Sequence, residues 1–400
     1  MSGRMRSAAG QGGRIPRAIW LLGLVSLFTD VGSEMVHSLL PVLLAGSLGA
    51  SALTIGLIEG AAESLVLVTK VFSGYVSDAL GRRKPLVLLG YGLAAAVKPL
   101  FPLADTVATA TTARLLDRFG KGIRGAPRDA LIADLAPPAV RGASFGLRQA
   151  LDTIGAVLGP LLAVALMALL ADDIRHVLWF AALPGVIAMV LLLKVREPAP
   201  AARAPARLPL TRAGLARLGA PFWRLAVLGL LLALARFSEA FLVLRAARGG
   251  LGLTLVPLVL VVMSLVYALS AYPAGWLSDR LPRHWLLALG LSVLALADAA
   301  LAVEAGHGLL FAGIALWGLH MGLTQGVLAS LITDVAPADY RGTAFGAFNL
   351  LSGAGLLLAS ALAGALWDWR GPPATFAAGA LLALLTLAAI PLLVRPAQRG

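Results

Sequence analysis

Residues 130–146, ALIADLAPPAVRGASFG, return 200 positions later at 330–346 as SLITDVAPADYRGTAFG. Nine of the 17 positions are identical, among them Asp134 and Asp334, Pro137 and Pro337, Arg141 and Arg341, and Phe145 and Phe345. A second element, Gly74-Tyr-Val-Ser-Asp78, is echoed by Gly275-Trp-Leu-Ser-Asp279. A chain written twice must fold into two similar halves, and two similar halves can rock about one fixed site between them.

Hydrophobic residues make up 59% of the chain and charged residues 13%, with a mean hydropathy of +0.87, which places both halves in a lipid bilayer. A formal charge of +13 and a pI near 11.0 would suggest nucleic acid in a water-soluble chain. Here the arginines gather in short polar breaks between apolar segments, so the expected partner is the bilayer, with no nucleic acid. The lack of cysteine excludes disulfides, thiolate metal sites and thiol nucleophiles together.

At roughly 20 apolar residues per crossing, helices are predicted near 18–46, 52–79, 85–104, 106–135, 140–170 and 173–195, then near 221–247, 254–281, 283–303, 307–336, 340–367 and 373–394. The predicted fold is all-α and integral to the membrane: twelve transmembrane helices in two pseudo-symmetric six-helix bundles, 18–195 and 221–395. A tail at 1–17 precedes them, and a Pro-, Ala- and Arg-rich linker at 196–220 joins them. The apolar run from Ile19 continues to span length, so it reads as a retained first helix and not a cleaved signal. Basic residues collect after the second span (Arg82, Arg83, Lys84), after the fourth (Arg141), in the linker, and after the eighth (Arg280, Arg283). This pattern puts the tail, the linker and both termini in the cytoplasm, with Arg245 and Arg248 after the seventh span as exceptions.

Between the second and third spans, Gly74, Asp78, Gly81, Arg82 and Arg83 form the pattern G-x-x-x-D-x-x-G-R-R. A carboxylate at a helix end can pair there with a cation or with the positive N-terminus of a neighbouring helix. In the fourth span, Arg114, Asp117, Lys121, Arg124 and Arg128 follow spacings of three and four, which lays them along one face. Arg118, Gly122, Gly125 and Ala126 add R-x-x-x-G-x-x-G-A. Charge inside a membrane helix is costly unless paired or wet, so this face is expected to look into a water-filled cavity. Together these motifs resemble the major facilitator superfamily, over essentially the whole chain.

The resemblance implies alternating access in a secondary transporter, with the first, fourth, seventh and tenth helices lining a central cavity. It makes the loop after the second span a cytoplasmic gate, to which Asp134, Arg141, Asp279, Asp334 and Arg341 are assigned; the second-half echo, lacking the glycine, is expected to latch more weakly. Drug/proton antiporters of the superfamily resemble this chain in setting acids on the first helix against an arginine on the fourth. The proton-coupling set is therefore Asp30, Glu34, Arg118 and Lys121, since small movements of a cation beside a desolvated carboxyl can load or release a proton. Gly155, Gly159 and Pro160 resemble the antiporter pattern G-x-x-x-G-P and are expected to form a hinge, which favours export.

The remaining intramembrane polar residues are assigned to a substrate cavity: Glu63, Arg114, Asp117, Arg148, Asp152, Arg236, Glu239, His320, Gln325 and Asn349. Phe237, Phe241, Trp317 and Phe348 are candidates to line it. The sequence therefore predicts a proton-coupled efflux antiporter of a small solute or ion, driven by the proton gradient without a cofactor. A high-GC-like composition suggests a bacterial inner membrane, and the chain is expected to act as a monomer. Two alternatives stay open: a transition-metal or metal-chelate transporter using Glu34, His37, His320 and Met321, and an organic-acid uptake symporter. No Walker loop, HExxH or nucleophile elbow appears, which argues against an enzyme. A non-transporting sensor is the remaining minor reading.

Overall fold

The computed structural model describes residues 14–197 and 210–393. The tail proper, the centre of the linker, and Arg395 and Arg399 lie outside the described residues. In the first half the helices are α1 (Arg17–Val42, continued by a π turn, Leu43–Ser47), α2 (Ala52–Leu80), α3 (Lys84–Val97), α4 (Val107–Leu135), α5 (Arg141–Leu169) and α6 (Ile174–Leu193). In the second they are α7 (Gly219–Arg248), α8 (Leu258–Ser278), α9 (Arg283–Ala302), α10 (His307–Val335), α11 (Arg341–Arg370) and α12 (Pro372–Leu393). A short helix, Arg212–Ala216, precedes α7.

Ten of these segments are long and apolar enough to cross a membrane. The exceptions have separate causes. The α-helical part of α3 is only 14 residues long before it tightens into a 3-10 turn at Lys98–Leu100. In α4 the charged face itself lowers the hydropathy.

The repeated sequence block proves to be a helix hairpin. In each half a long helix stops at alanine, Ala136 or Ala336, because the following Pro137 or Pro337 disfavours helical geometry in the residue before it. A 3-10 turn, Pro138–Val140 or Ala338–Tyr340, then leads into the next helix at Arg141 or Arg341. Packing obeys the same symmetry. Within each half, α1 meets α5 as α7 meets α11, and α4 holds α2 and α3 as α10 holds α8 and α9. Between halves, α2 packs on α11 and α5 on α8.

Two predicted helices are broken. α6 is interrupted at Ala181, and α7 loses helical geometry at Arg236–Ser238. Side chains take over the freed backbone donors at the α7 break: Ser360 Oγ accepts from the Ser238 N–H at 3.1 Å, and Ser238 Oγ from the Ala240 N–H at 3.2 Å. Non-helical backbone at this depth is tolerated only where it is buried in protein or faces a cavity.

The two ends of the bundle differ. At the end without basic loops the halves are closed: Gly56, Gly60 and Gly364 bring α2 and α11 so near that a Cβ at any of them would collide with the other helix's backbone. Asp368, near the end of α11, accepts from the Ala52 and Leu53 N–H groups, both at 2.9 Å, and so caps α2 across the interface. The symmetry-related contact is Thr254 Oγ1 donating to Asp172 at 2.6 Å; Asp172 and Ala171 turn there through left-handed φ of 65° and 51°. At the basic end the halves part around a groove of about 710 Å³ bordered by Gly74 and Asp78 of α2, Ala126 of α4, and Thr343 and Gly346 of α11.

Arg245 and Arg248, the exceptions to the charge asymmetry, lie at the closed end. Arg245 is there to cap α9, donating from Nε to the Leu301 carbonyl and from Nη2 to that of Val303, each at 3.0 Å.

Loss of an N-terminal capping carboxylate costs about 1 kcal/mol, or roughly fivefold in an opening equilibrium. The chain has no native cysteine, so a single Ile55→Cys reporter, buried under this seal, reads it directly. Asp368→Ala should raise the labelling rate of that thiol from the closed end by about that factor. An unchanged rate would show that the α2 cap does not hold the seal.

Candidate functional site

The fourth helix has to neutralise its own charges, and it does so with three different neighbours. Arg114 pairs with Glu59 of α2, both side chains fully buried. Asp117 receives Lys98 Nζ of α3 at 2.8 Å, and the same ammonium reaches Ser33 Oγ of α1 at 3.0 Å. Arg124 stacks over the Tyr91 ring of α3 at 4.6 Å. Arg128 donates from Nη2 to Asp129 and from Nη1 to Ser26 Oγ, each at 3.1 Å. The expected wet face is thus largely closed by protein, and Arg114 and Asp117 do not border the central cavity.

Two cations of the helix remain for that cavity. A space of about 160 Å³ lies between the halves, bordered by Glu34 and His37 of α1, Glu63 of α2, Arg118 and Lys121 of α4, and Arg236–Glu239 at the α7 break. Arg118, 1% exposed, holds Glu63 at 3.5 Å from its Nε, and its Nη2 has no hydrogen-bond partner. His37 Nδ1 and the Glu34 carboxylate are 3.2 Å apart. Among the described residues, the side chains of Lys121, Arg236 and Glu239 form no hydrogen bond or close ion pair. Arg236 and Leu356 also border a mainly apolar vestibule of about 250 Å³, with Gln325, Phe348 and Asn349. Phe345 and Asn349 continue from it to the groove at the basic end. A path therefore runs from that end to the cavity and stops at the seal.

Other predicted cavity residues lie elsewhere. Arg148 and Asp152 pair with each other at 3.1 Å on α5. Asp30 faces the same helix, where the Cβ that Gly155 lacks would stand 3.1 Å from its own. His320 is fully buried, with Nδ1 at 2.8 Å from the Gly290 carbonyl, and does not join His37. Among the described residues no three His, Asp or Glu side chains converge to hold a metal ion. Of the aromatic candidates, Phe237 borders the cavity and Phe348 the vestibule, while Phe241 and Trp317 are packed in the second-half core.

Gly155 and Gly159 sit in an unbroken α5 that includes Pro160. A Cβ at either would lie within 2.7 Å of an α1 carbonyl, that of Leu27 or Val31. These glycines let α1 approach closely enough to present Asp30 and Glu34.

At the basic end Arg83 contacts Asp78, Ser77 and Asp134. Asp134 therefore turns to the loop after α2. The second half repeats this contact as Arg283 with Asp334, while Arg280 stacks on Trp276 at 3.4 Å from the ring centre. Arg82, Arg141, Arg341 and Asp279 are exposed there. Gly81 ends α2 in a left-handed conformation, φ 64°.

Three ionic groups, two of them buried, escaped the sequence reading. Lys98 interrupts an apolar run and was visible as such. Asp298, fully buried on α9, accepts from Trp317 Nε1 at 2.9 Å. Glu197 accepts from the Arg83 and Lys84 N–H groups at the start of α3, a contact between distant segments that carries no local signal.

Removing one member of a buried ion pair costs about 3–5 kcal/mol, whereas replacing both by apolar groups is often neutral. Glu59→Gln should accordingly lower the unfolding midpoint of the purified protein sharply, and Glu59→Leu combined with Arg114→Met should recover most of the loss. A double variant as unstable as the single one would contradict this account of α4.

The sequence profile of the Major Facilitator Superfamily matches residues 22–256 and 247–400. An uncharacterized MFS-type transporter of Methanocaldococcus jannaschii, MJ1317, is 31% identical over 379 residues, covering 93% of this chain and 94% of that one. The multidrug resistance protein MdtH of Yersinia pestis is 30% identical over 163 residues, 41% of this chain and 40% of its own. Among solved structures, a bacterial homologue of the human lysosomal transporter Spinster, inward-facing and occupied, superposes with a TM-score of 0.78 at 17% identity over 95% of this chain and 97% of its own. The human organic anion transporter MFSD10 gives 0.67 at 20% identity, covering 94% and 100%. Two six-helix halves around a central charged cavity, a full-length sequence match and these relatives have one conclusion: the chain belongs to the major facilitator superfamily of membrane transporters.

Proposed function

We propose that the chain is a proton-coupled antiporter that exports a small solute across a bacterial inner membrane, with its basic end in the cytoplasm. The observation that carries this reading is the crowding of Glu34, His37, Glu63, Arg118 and Lys121 around one cavity, where a proton and a solute would compete for the same charged groups. Protonation of Glu63 would release Arg118, and protonation of Glu34 would release His37. Either event changes which groups the cavity offers to a solute. Asp30 lies one turn before Glu34 and outside the cavity border, a position suited to passing a proton to it. With the basic end cytoplasmic, the state described is open inward and sealed by the α2–α11 contact. The partial likeness to MdtH supports export.

The test is solute-induced proton movement in proteoliposomes carrying a trapped pH dye, run against a panel of drugs, amino acids and organic acids. Glu34→Gln and Asp30→Asn should each abolish pH-driven transport, and Asp30→Asn should leave solute counterflow intact. Retained pH-driven transport in both single variants would reject the coupling assignment.

A further inference from the structure

The cavity carries as much positive as negative charge. Arg118, Lys121 and Arg236 stand against Glu34, Glu63 and Glu239. Two of the acids are engaged within the first half, Glu63 by Arg118 and Glu34 by His37. The side chains that make no hydrogen bond or close ion pair are Lys121 on α4 and both Arg236 and Glu239 at the α7 break, together with the buried Nη2 of Arg118. Unused donors therefore come from both halves, and the second half adds one unused carboxylate.

A solute bearing a single charge would leave a net charge enclosed at bilayer depth when the halves close over it, which is strongly unfavourable. A solute bearing one anionic and one cationic group would not. Taking the cavity as the transported solute's site, as in the function proposed above, the geometry points to a small zwitterion of amino-acid size. Its carboxylate lies among Arg236, Lys121 and the Arg118 Nη2, and its ammonium lies on Glu239. Size agrees, because about 160 Å³ falls below the roughly 300 Å³ at which pockets for drug-sized ligands begin. Since Lys121 and Arg236 belong to different halves, one carboxylate bridges them, so binding itself favours closure. The ammonium and a transported proton would both be drawn to carboxylates of this one cavity, which suits exchange. An anion accompanied by a proton on Glu239 would balance the charge equally well, and the experiment separates the two.

The purified full-length chain is titrated with three matched triplets built on alanine, leucine and phenylalanine. Each triplet comprises the amino acid, its desamino acid and its decarboxylated amine, with the unfolding midpoint as readout. In at least one triplet the amino acid should stabilise the wild type most. Glu239→Gln should weaken that amino acid by roughly thirtyfold, as expected for losing one buried charge pair, and shift the preference to the desamino acid. Arg236→Gln should shift it to the amine. The proposal is overturned if no triplet favours the zwitterion, or if the desamino acid matches it in the wild type with an affinity that rises as pH falls, or if neither variant changes the preference. Selective binding of an amino acid that moves no protons in the liposome assay would keep the substrate class and reject the coupling. Proton-coupled transport of a drug, with no amino acid bound, would do the reverse.

Discussion

Charge at bilayer depth has to be answered by protein, and that requirement organises the first half of this molecule. α4 cannot be a lipid-facing helix, because Arg114, Asp117, Arg118, Lys121, Arg124 and Arg128 would all need water there. Each neighbour supplies a partner: Glu59 from α2, Lys98 and Tyr91 from α3, Ser26 from α1. The position of the site follows from what is left. Arg118 and Lys121 are the cations of α4 that reach the space between the halves.

The second half keeps the architecture of that solution and discards most of its charge. Lys98 and Asp117 have as their counterparts, 200 positions later, Asp298 and Trp317. The contact between the third and fourth helices of each bundle is thus conserved in place, as an ion pair in one half and an indole-to-carboxylate hydrogen bond in the other. Gly90 against Gly120 likewise corresponds to Gly290 against His320, whose ring nitrogen lies beside the Gly290 carbonyl. Arg83 with Asp134 and Arg283 with Asp334 repeat with the same offset. What the second half brings to the cavity comes not from its fourth helix but from the α7 break, where Arg236 and Glu239 flank non-helical backbone.

Features written in local pattern were legible in the sequence. The duplicated block, the span lengths and the loop after α2 depend on hydropathy, on Pro137 and Pro337, and on Gly81, all of which act within a few residues. The spacing of charges along α4 correctly placed them on neighbouring turns, but spacing cannot say what a helical face meets. Glu59, Lys98 and Tyr91 close most of it, and only the assembled bundle shows this. The α7 break was hidden for a similar reason: Arg236-Phe-Ser-Glu239 has no proline or glycine, and its backbone is stabilised by Ser360, more than 100 residues away. Lys98 and Asp298 are different, since a charged residue inside an apolar run is visible locally.

The two ends of the bundle hold themselves shut by different means, and the difference bears on how access alternates. At the closed end the contacts cross between halves, from Asp368 to the start of α2 and from Asp172 to Thr254 at the start of α8, backed by the glycine contacts of α2 with α11. At the open end the ionic contacts of Arg83 and Arg283 stay within their own halves, so each half carries its set already assembled. Opening the sealed end breaks helix caps and close backbone packing, both short-ranged and lost within a small displacement. Closing the open end needs only that two preformed charged surfaces meet. A rigid-body rocking of the halves satisfies both conditions, because neither requires a helix to unfold.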